Sequence, residues 1–441
     1  MRSRHGWSCL AALAVVTGCS TTGSGTGAPP GPGAPQPPAR TAEVRGPEVP
    51  SGPVAGLDLG QALALAGRIH PTLAELEAQV EEARGRAEQA GLFPNPDAVY
   101  RMESAPFEGK TTREAEHVAG ATFHVPLWTR LSSAERAGLL DAQRLERELA
   151  ARRLEIGRDV RTAFAAALHL SKVVEVRGSA VEAARSAADL TRGRVAAGDA
   201  LPQDAGRAEM EAIRAETDLS ESRSRLREAL VELAVRIGSS GLSIESVSGD
   251  VEAAIDLPAL EALAAAIDRS PAMEAARAGT AVEEARLEVA RDERIPDVDL
   301  DLFYRRRGAD ESDTFDVGVK IPLPAFDRNQ GEIRAAHAAV RAAQARERRV
   351  AEELAGRLSN AHARLAGALE RSRVFRQDLL PRSKSVLDAA ETRYRAGDMT
   401  LAEILPIRRE RFSIEIDYLE ALREVLAARA ELSPFLDAPT P

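Results

Sequence analysis

Two acidic side chains, Asp388 and Glu391, stand three residues apart just before Tyr394, Gly397 and Asp398. On a helix that spacing puts both carboxylates on one face, where they attract cations and repel each other when charged. His117 and His124 offer metal-binding chemistry, but no His, Asp or Glu accompanies them at ligand spacing, so no metal site is expected. The chain has no phosphate-cradling GxxxxGKS or GxxxxGKT, no HExxH and no GxSxG. No ATPase, metalloprotease or hydrolase centre is therefore expected; the chain reads as a non-enzyme without a cofactor.

The cysteines carry a different chemistry. Arg2 and Arg4 precede a short apolar run over residues 7–16, and Val16-Thr17-Gly18 leads into Cys19. The run is too short to span a bilayer and reads as a secretory leader. It resembles a bacterial lipoprotein signal, which implies that residues 1–18 are removed and that Cys19 is acylated. Cys9 would leave with the leader, so the mature chain would hold Cys19 alone, without a disulfide or a Cys-rich metal site. Ser20, in place of Asp, suits sorting to the outer membrane under the common enterobacterial rule.

Composition narrows what must surround these groups. The 441 residues are 44% hydrophobic but only 4% aromatic, with 29% charged side chains and a net charge of -10. Much of the apolar share is alanine set among Arg and Glu, which favours long helices packed through small side chains. The acidic balance gives no indication of a nucleic-acid-binding face. No run of about 18 apolar residues follows the leader, which excludes a helical membrane transporter. Residues 19–56, rich in Gly, Pro and Ser, read as a tether.

The rest of the chain is duplicated. His70-Pro71 and Ser270-Pro271 open similar segments, and Pro96-Asp97 and Pro296-Asp297 keep the same offset of 200. Pro126 and Pro322 follow at an offset of 196, and Gly198-Asp199 and Gly397-Asp398 at 199. The landmarks define a first repeat over 57–240, a linker over 241–256, a second repeat over 257–432 and a tail over 433–441. Each repeat predicts a helix of about 30 residues (59–91 and 257–292) and two extended stretches. Those stretches are 98–102 with 118–125, and 298–304 with 315–321; Val298, Leu300, Leu302 and Tyr304 alternate with mostly polar residues. Helical runs over 127–193 and 328–394 follow, each about 100 Å long if continuous. Leu145, Leu149, Ile156, Val160 and Phe164 form an apolar seam of coiled-coil type. Gly-Asp turns at 198–199 and 397–398 then reverse the chain into return helices reaching about 237 and 430.

Four amphipathic strands cannot close a wide barrel alone, yet strands facing lipid must leave no open edge. Two, three or four chains would supply eight, twelve or sixteen strands, and the arithmetic does not choose among them. A barrel continued by long helices would form a conduit across the periplasm.

The segments "ALALAGRIHPTL", "QAGLFPNPD", "PLPAFDRNQGEI" and "YRAGDMTLAEILPIRRE" resemble the TolC-like outer-membrane efflux factors over about residues 57–432. The resemblance implies an α+β membrane protein: a homotrimer whose four strands per chain form a twelve-stranded outer-membrane β-barrel above a periplasmic α-barrel. It implies a passive channel in a tripartite efflux system, lipid-anchored through Cys19 in the outer membrane, with membrane lipids, a periplasmic adaptor and an inner-membrane pump as partners. No nucleic acid is involved. The helical turns become adaptor-docking tips, with Arg194, Gly198, Asp199, Tyr394, Gly397 and Asp398 as docking candidates. Asp388 and Glu391, tripled around an axis, become candidate carboxylate rings of a periplasmic gate. "LFPNPD" and "PLPAFDRNQG" look most like the branch serving cobalt-zinc-cadmium or copper-silver resistance. Trp128 and Thr129, where the second copy has Ala325 and Phe326, depart from that pattern. The alternative is a lipid-anchored periplasmic coiled-coil structural or adaptor protein, which would not need two matching strand pairs.

Overall fold

A computed structural model describes residues 52–103, 115–127, 129–252, 255–307 and 312–436. The leader, Cys19, the tether up to residue 51 and the tail beyond residue 436 lie outside the described residues. The first repeat runs α1 (Leu59–Ile69), α2 (Pro71–Gly91), β1 (Asp97–Glu103), β2 (Glu116–Val125), α3 (Arg130–Ala197) and α4 (Pro202–Ile237). The second runs α5 (Leu260–Ile267), α6 (Pro271–Asp292), β3 (Val298–Arg307), β4 (Asp313–Lys320), α7 (Gln330–Val374), a π turn (Phe375–Leu379), α8 (Leu380–Ala396) and α9 (Leu401–Leu436).

The expected 30-residue opening helices are each broken in two. Pro71 and Pro271 disfavour helical geometry in the residue before them, and His70 and Ser270 are extended, with ψ of 119° and 139°. Both become N-caps: His70 Nδ1 accepts from Thr72 N at 3.3 Å, and Ser270 Oγ accepts from Met273 N at 3.3 Å. Asp58 and Gln61 cap α1 reciprocally, at 2.8 and 3.2 Å.

The two long runs differ. α3 continues for 68 residues, about 100 Å at 1.5 Å per residue. Its counterpart is interrupted, with Leu380 N donating to Phe375 O across five residues. Pro381 follows immediately; it has no N–H to donate, and its ring would press on the carbonyl one turn back, so the helix widens there.

β1, β2, β3 and β4 form one antiparallel sheet in that order. The hairpins of the two repeats are joined through β2 and β3, with Phe123 opposite Leu300 and Thr122 opposite Asp301. β1 and β4 are its edges.

Below the sheet, one core gathers Leu57, Ile156, Val160, Leu233, Ile237 and Tyr418 from both repeats. Residues 54 and 57 pair with the inter-repeat segment, where Val54 N donates to Ser243 O at 2.8 Å and Leu57 N to Ser246 O at 3.0 Å. A second core joins Met273, Leu354, Leu358, Leu365, Val425 and Leu432. A small third core, Ala188, Ala208, Ala390, Tyr394, Leu401 and Ile404, sits where the α3–α4 hairpin meets the α8–α9 hairpin.

Candidate functional site: the strand sheet and the helical tips

Alternation along the strands separates two chemistries. Register places Tyr100, Ala119, Tyr304 and Phe315 level across one face, with Ala121, Leu302 and Val317, then Phe123, Leu300 and Val319, in successive rows. Large side chains of this face, including Tyr100, Phe315, Val317 and Val319, are exposed to the surroundings. An apolar face with a level aromatic row is the pattern of a strand surface turned to lipid. At its lower margin Leu323 and Phe326 are 85% and 93% exposed.

The opposite face is ionic. Arg305 donates to Glu103 at 3.0 Å, Glu116 at 2.7 Å and Asp316 at 3.0 Å, joining all four strands. Nearer the helices, His124 meets Asp299 through Nδ1 at 2.7 Å and Asp97 through Nε2 at 3.1 Å. Thr122 donates to Asp301 at 2.6 Å, and Lys320 to Asp299 at 3.4 Å. His117, an odd number of residues from His124, lies on the apolar face with Tyr100, whose hydroxyl is 2.8 Å from His117 Nδ1. The two histidines are therefore separated by the sheet. Among the described residues no group of three or more His, Cys, Asp or Glu is placed to hold a metal ion.

At the other end, Gly198 and Gly397 adopt φ of 83° and 85°. In both turns the following aspartate closes the helix from outside: Asp199 N donates to Arg194 O at 2.8 Å and Asp398 N to Arg393 O at 2.9 Å. Gly198, Asp199, Gly397 and Asp398 are exposed. Tyr394 is not. It is 2% exposed, an anchor of the third core, with Arg194 and Arg408 over its ring at 5.5 and 6.0 Å. Its place among the docking candidates is corrected to an interior one, because the apolar ring fills the space where the hairpins cross. Arg194, half-exposed, covers that ring.

Asp388 and Glu391 also differ. Asp388 is exposed. Glu391 is half-buried and already paired, with Arg395 at 3.1 Å and Arg408 at 3.4 Å. Of the two, Asp388 is the more exposed carboxylate and Glu391 the salt-bridged one.

Thr400 and Glu403, absent from the sequence-based candidates, organise the start of α9. Thr400 donates both its N–H and its hydroxyl to Glu403 at 2.7 Å, and these bonds, the backbone one foremost, hold the Glu403 carboxyl below its ordinary value. The T-x-x-E spacing is the signal that could have found them.

The sequence profile described as "Outer membrane efflux protein" matches residues 62–239 and again 262–436. The cobalt-zinc-cadmium resistance protein CzcC of Cupriavidus metallidurans is 28% identical over 392 residues, covering 86% of this chain and 90% of that protein. Among solved structures, the open-state MtrE outer membrane channel of Neisseria gonorrhoeae superposes with a TM-score of 0.71 at 16% identity, covering 86% of this chain and 88% of MtrE. CusC, described in terms of transmembrane channel formation, superposes at 0.65 and 17% identity, covering 86% and 91%. At those identities the structures speak for the fold alone.

Proposed function

The chain belongs to the outer membrane efflux protein family, and from that premise we propose that three copies close their sheets into one twelve-stranded barrel and conduct substrate passively. The observation that carries this is the sheet itself. Its apolar face is exposed and its edges, β1 and β4, are unpaired within the chain, a combination that hydrocarbon does not tolerate unless another copy supplies the partner. β2 and β3, with 10 residues each, have the length of strands that cross a bilayer.

In this reading the ionic face lines the lumen, and the helices of both repeats extend into the periplasm as an α-barrel. Their turns meet a periplasmic adaptor that connects to an inner-membrane pump. Energy comes from the pump, and no bond is made or broken in the channel. Acylated Cys19 adds a lipid anchor in the outer membrane through the tether. The similarity to CzcC supports heavy-metal cations as cargo, and the Asp97, Asp299 and Asp301 carboxylates on the ionic face favour cations electrostatically. Family membership sets aside the coiled-coil adaptor alternative.

The test is an image of the purified assembly together with metal tolerance of a deletion strain carrying the gene. A threefold tube with a barrel at one end is expected, and so is restored tolerance to cobalt, zinc or cadmium. A monomer without a barrel would overturn the architecture; a tube that restores no metal tolerance would overturn the cargo.

A further inference from the structure

Directly beneath the lower margin of the apolar face, the end of α6 and the start of α7 frame an open groove of ≈ 510 Å³ lined by Arg294, Arg328, Arg334, His337 and Arg341, with no carboxylate among its lining residues. Arg334, His337 and Arg341 follow at spacings of three and four, on one face of α7. None of the four guanidinium groups has a carboxylate partner among the described residues; Arg328 Nε donates only to Pro324 O, at 3.3 Å. Of the acids on these segments, Glu293 accepts from the Asn329 amide at 3.2 Å and Asp327 from Asn329 N at 3.0 Å, while Glu332, in the first turn of α7, is exposed and is not among the groove's lining residues. The groove near the tips has a different character, because Asp218 and Glu211 there neutralise Arg177 and Arg409.

Leu323 and Phe326, the most exposed large apolar side chains among the described residues, lie in the few residues between β4 and Arg328. Arg334 is about 6 Å along α7 from its first residue, within the roughly 5–8 Å depth of a headgroup layer. Apolar anchors followed at that depth by unpaired guanidinium groups match the two zones of a lipid leaflet, acyl chain and phosphate. Arginine is suited to the second zone, since its fork binds phosphate oxygens in pairs.

We infer that this groove binds the headgroups of anionic phospholipids in the periplasmic leaflet, fixing the depth of the barrel. The inference rests on the barrel reading given above. The experiment reconstitutes the full-length assembly into vesicles of phosphatidylcholine with a minority of phosphatidylglycerol, re-extracts it in mild detergent, and measures the retained lipids by mass spectrometry. Wild-type protein is expected to retain phosphatidylglycerol above its share in the vesicle. Arg294→Gln with Arg334→Gln should lower that enrichment by about fivefold or more while leaving the assembly intact, because each basic side chain near the surface is worth about that factor. Arg207→Gln, on exposed α4 far from the strands, should leave it unchanged. Enrichment that survives the double substitution, or falls equally with Arg207→Gln, overturns the inference. So does dissociation of the double variant with its lipid content per chain unchanged, which would make the groove a contact between copies. Failure of wild-type protein to insert in vesicles at all would instead count against the barrel.

Discussion

The hydroxyl groups of Thr191 on α3 and Tyr394 on α8 meet at 3.2 Å inside the seam between the two hairpins. Thr191 also donates to Ala187 O at 2.7 Å, so the phenol is held by a side chain that is itself fixed. Tyr394→Phe should cost about 1 kcal/mol, the lost hydrogen bond, and Tyr394→Ala about 3–5 kcal/mol, with a cavity in the third core. The damage should be local. Limited proteolysis is expected to cut near the turns of Tyr394→Ala while the strand-bearing half stays resistant; protection equal to wild type would contradict this packing.

Gly397 needs its φ of 85°, but a Cβ there would meet only Arg194 Nη2, at 3.9 Å. The penalty for Gly397→Val is therefore backbone strain of about 1–2 kcal/mol, confined to the turn. Adaptor crosslinking in cells should fall while recovery of the assembled channel does not. Gly238 makes the contrast: its φ is 110°, and a Cβ would lie 2.7 Å from His70 Cα. Gly238→Ala should disturb the junction of α4 with α2 and reduce recovery of folded protein, which thermal melting would register.

Asp388 and Glu391 should separate under substitution. Asp388→Asn removes an exposed charge and should lower cation preference in planar bilayers, read as a shifted reversal potential under a salt gradient. Glu391→Gln breaks pairing with Arg395 and Arg408 and should act mainly on conductance, through the loosened tip. An unchanged reversal potential in well-folded Asp388→Asn channels would remove that residue from the candidate gate.

Acid should weaken the join between repeats. His169 on α3 is buried, and that burial, only partly offset by Glu420 at 3.3 Å, lowers its pKa below the ordinary 6.5. His70 shifts in the same direction, again chiefly through burial. At these two sites the unfolded chain therefore binds more protons than the folded one as pH falls below about 6.5, and the stability they contribute drops through that window. Melting temperature should decline between pH 7.5 and 5.5, and His169→Gln should flatten the decline. A slope identical in the variant would show that His169 contributes nothing to it.

Cys19→Ala should abolish acyl-label incorporation and processing by the lipoprotein route, with weaker anchoring. Labelling that persists in the variant would reassign the modification.

Much of this molecule is written locally. Pro71, Pro271, Gly198 and Gly397 mark where the backbone must break or reverse, because each proline restricts the residue before it and each glycine frees φ at its own position. The alternation of Val298, Leu300 and Leu302 with aspartates assigns two faces to β3 before any partner is known. The strands and the long helices are legible for the same reason, since they depend on neighbours a few residues away, and the repeat is legible because its landmarks recur in one order at offsets of 196 to 200. The sequence did not reveal that β2 pairs with β3 across the repeats, since that register is chosen between segments some 180 residues apart. Nor could spacing show that Glu391 is spent on Arg408, that Tyr394 turns inward, or that Arg294 stands beside Arg334 without a carboxylate between them. Those outcomes were decided when packing brought distant helices together, because whether a charge is paired or a ring is buried is a property of the neighbours that the fold supplies.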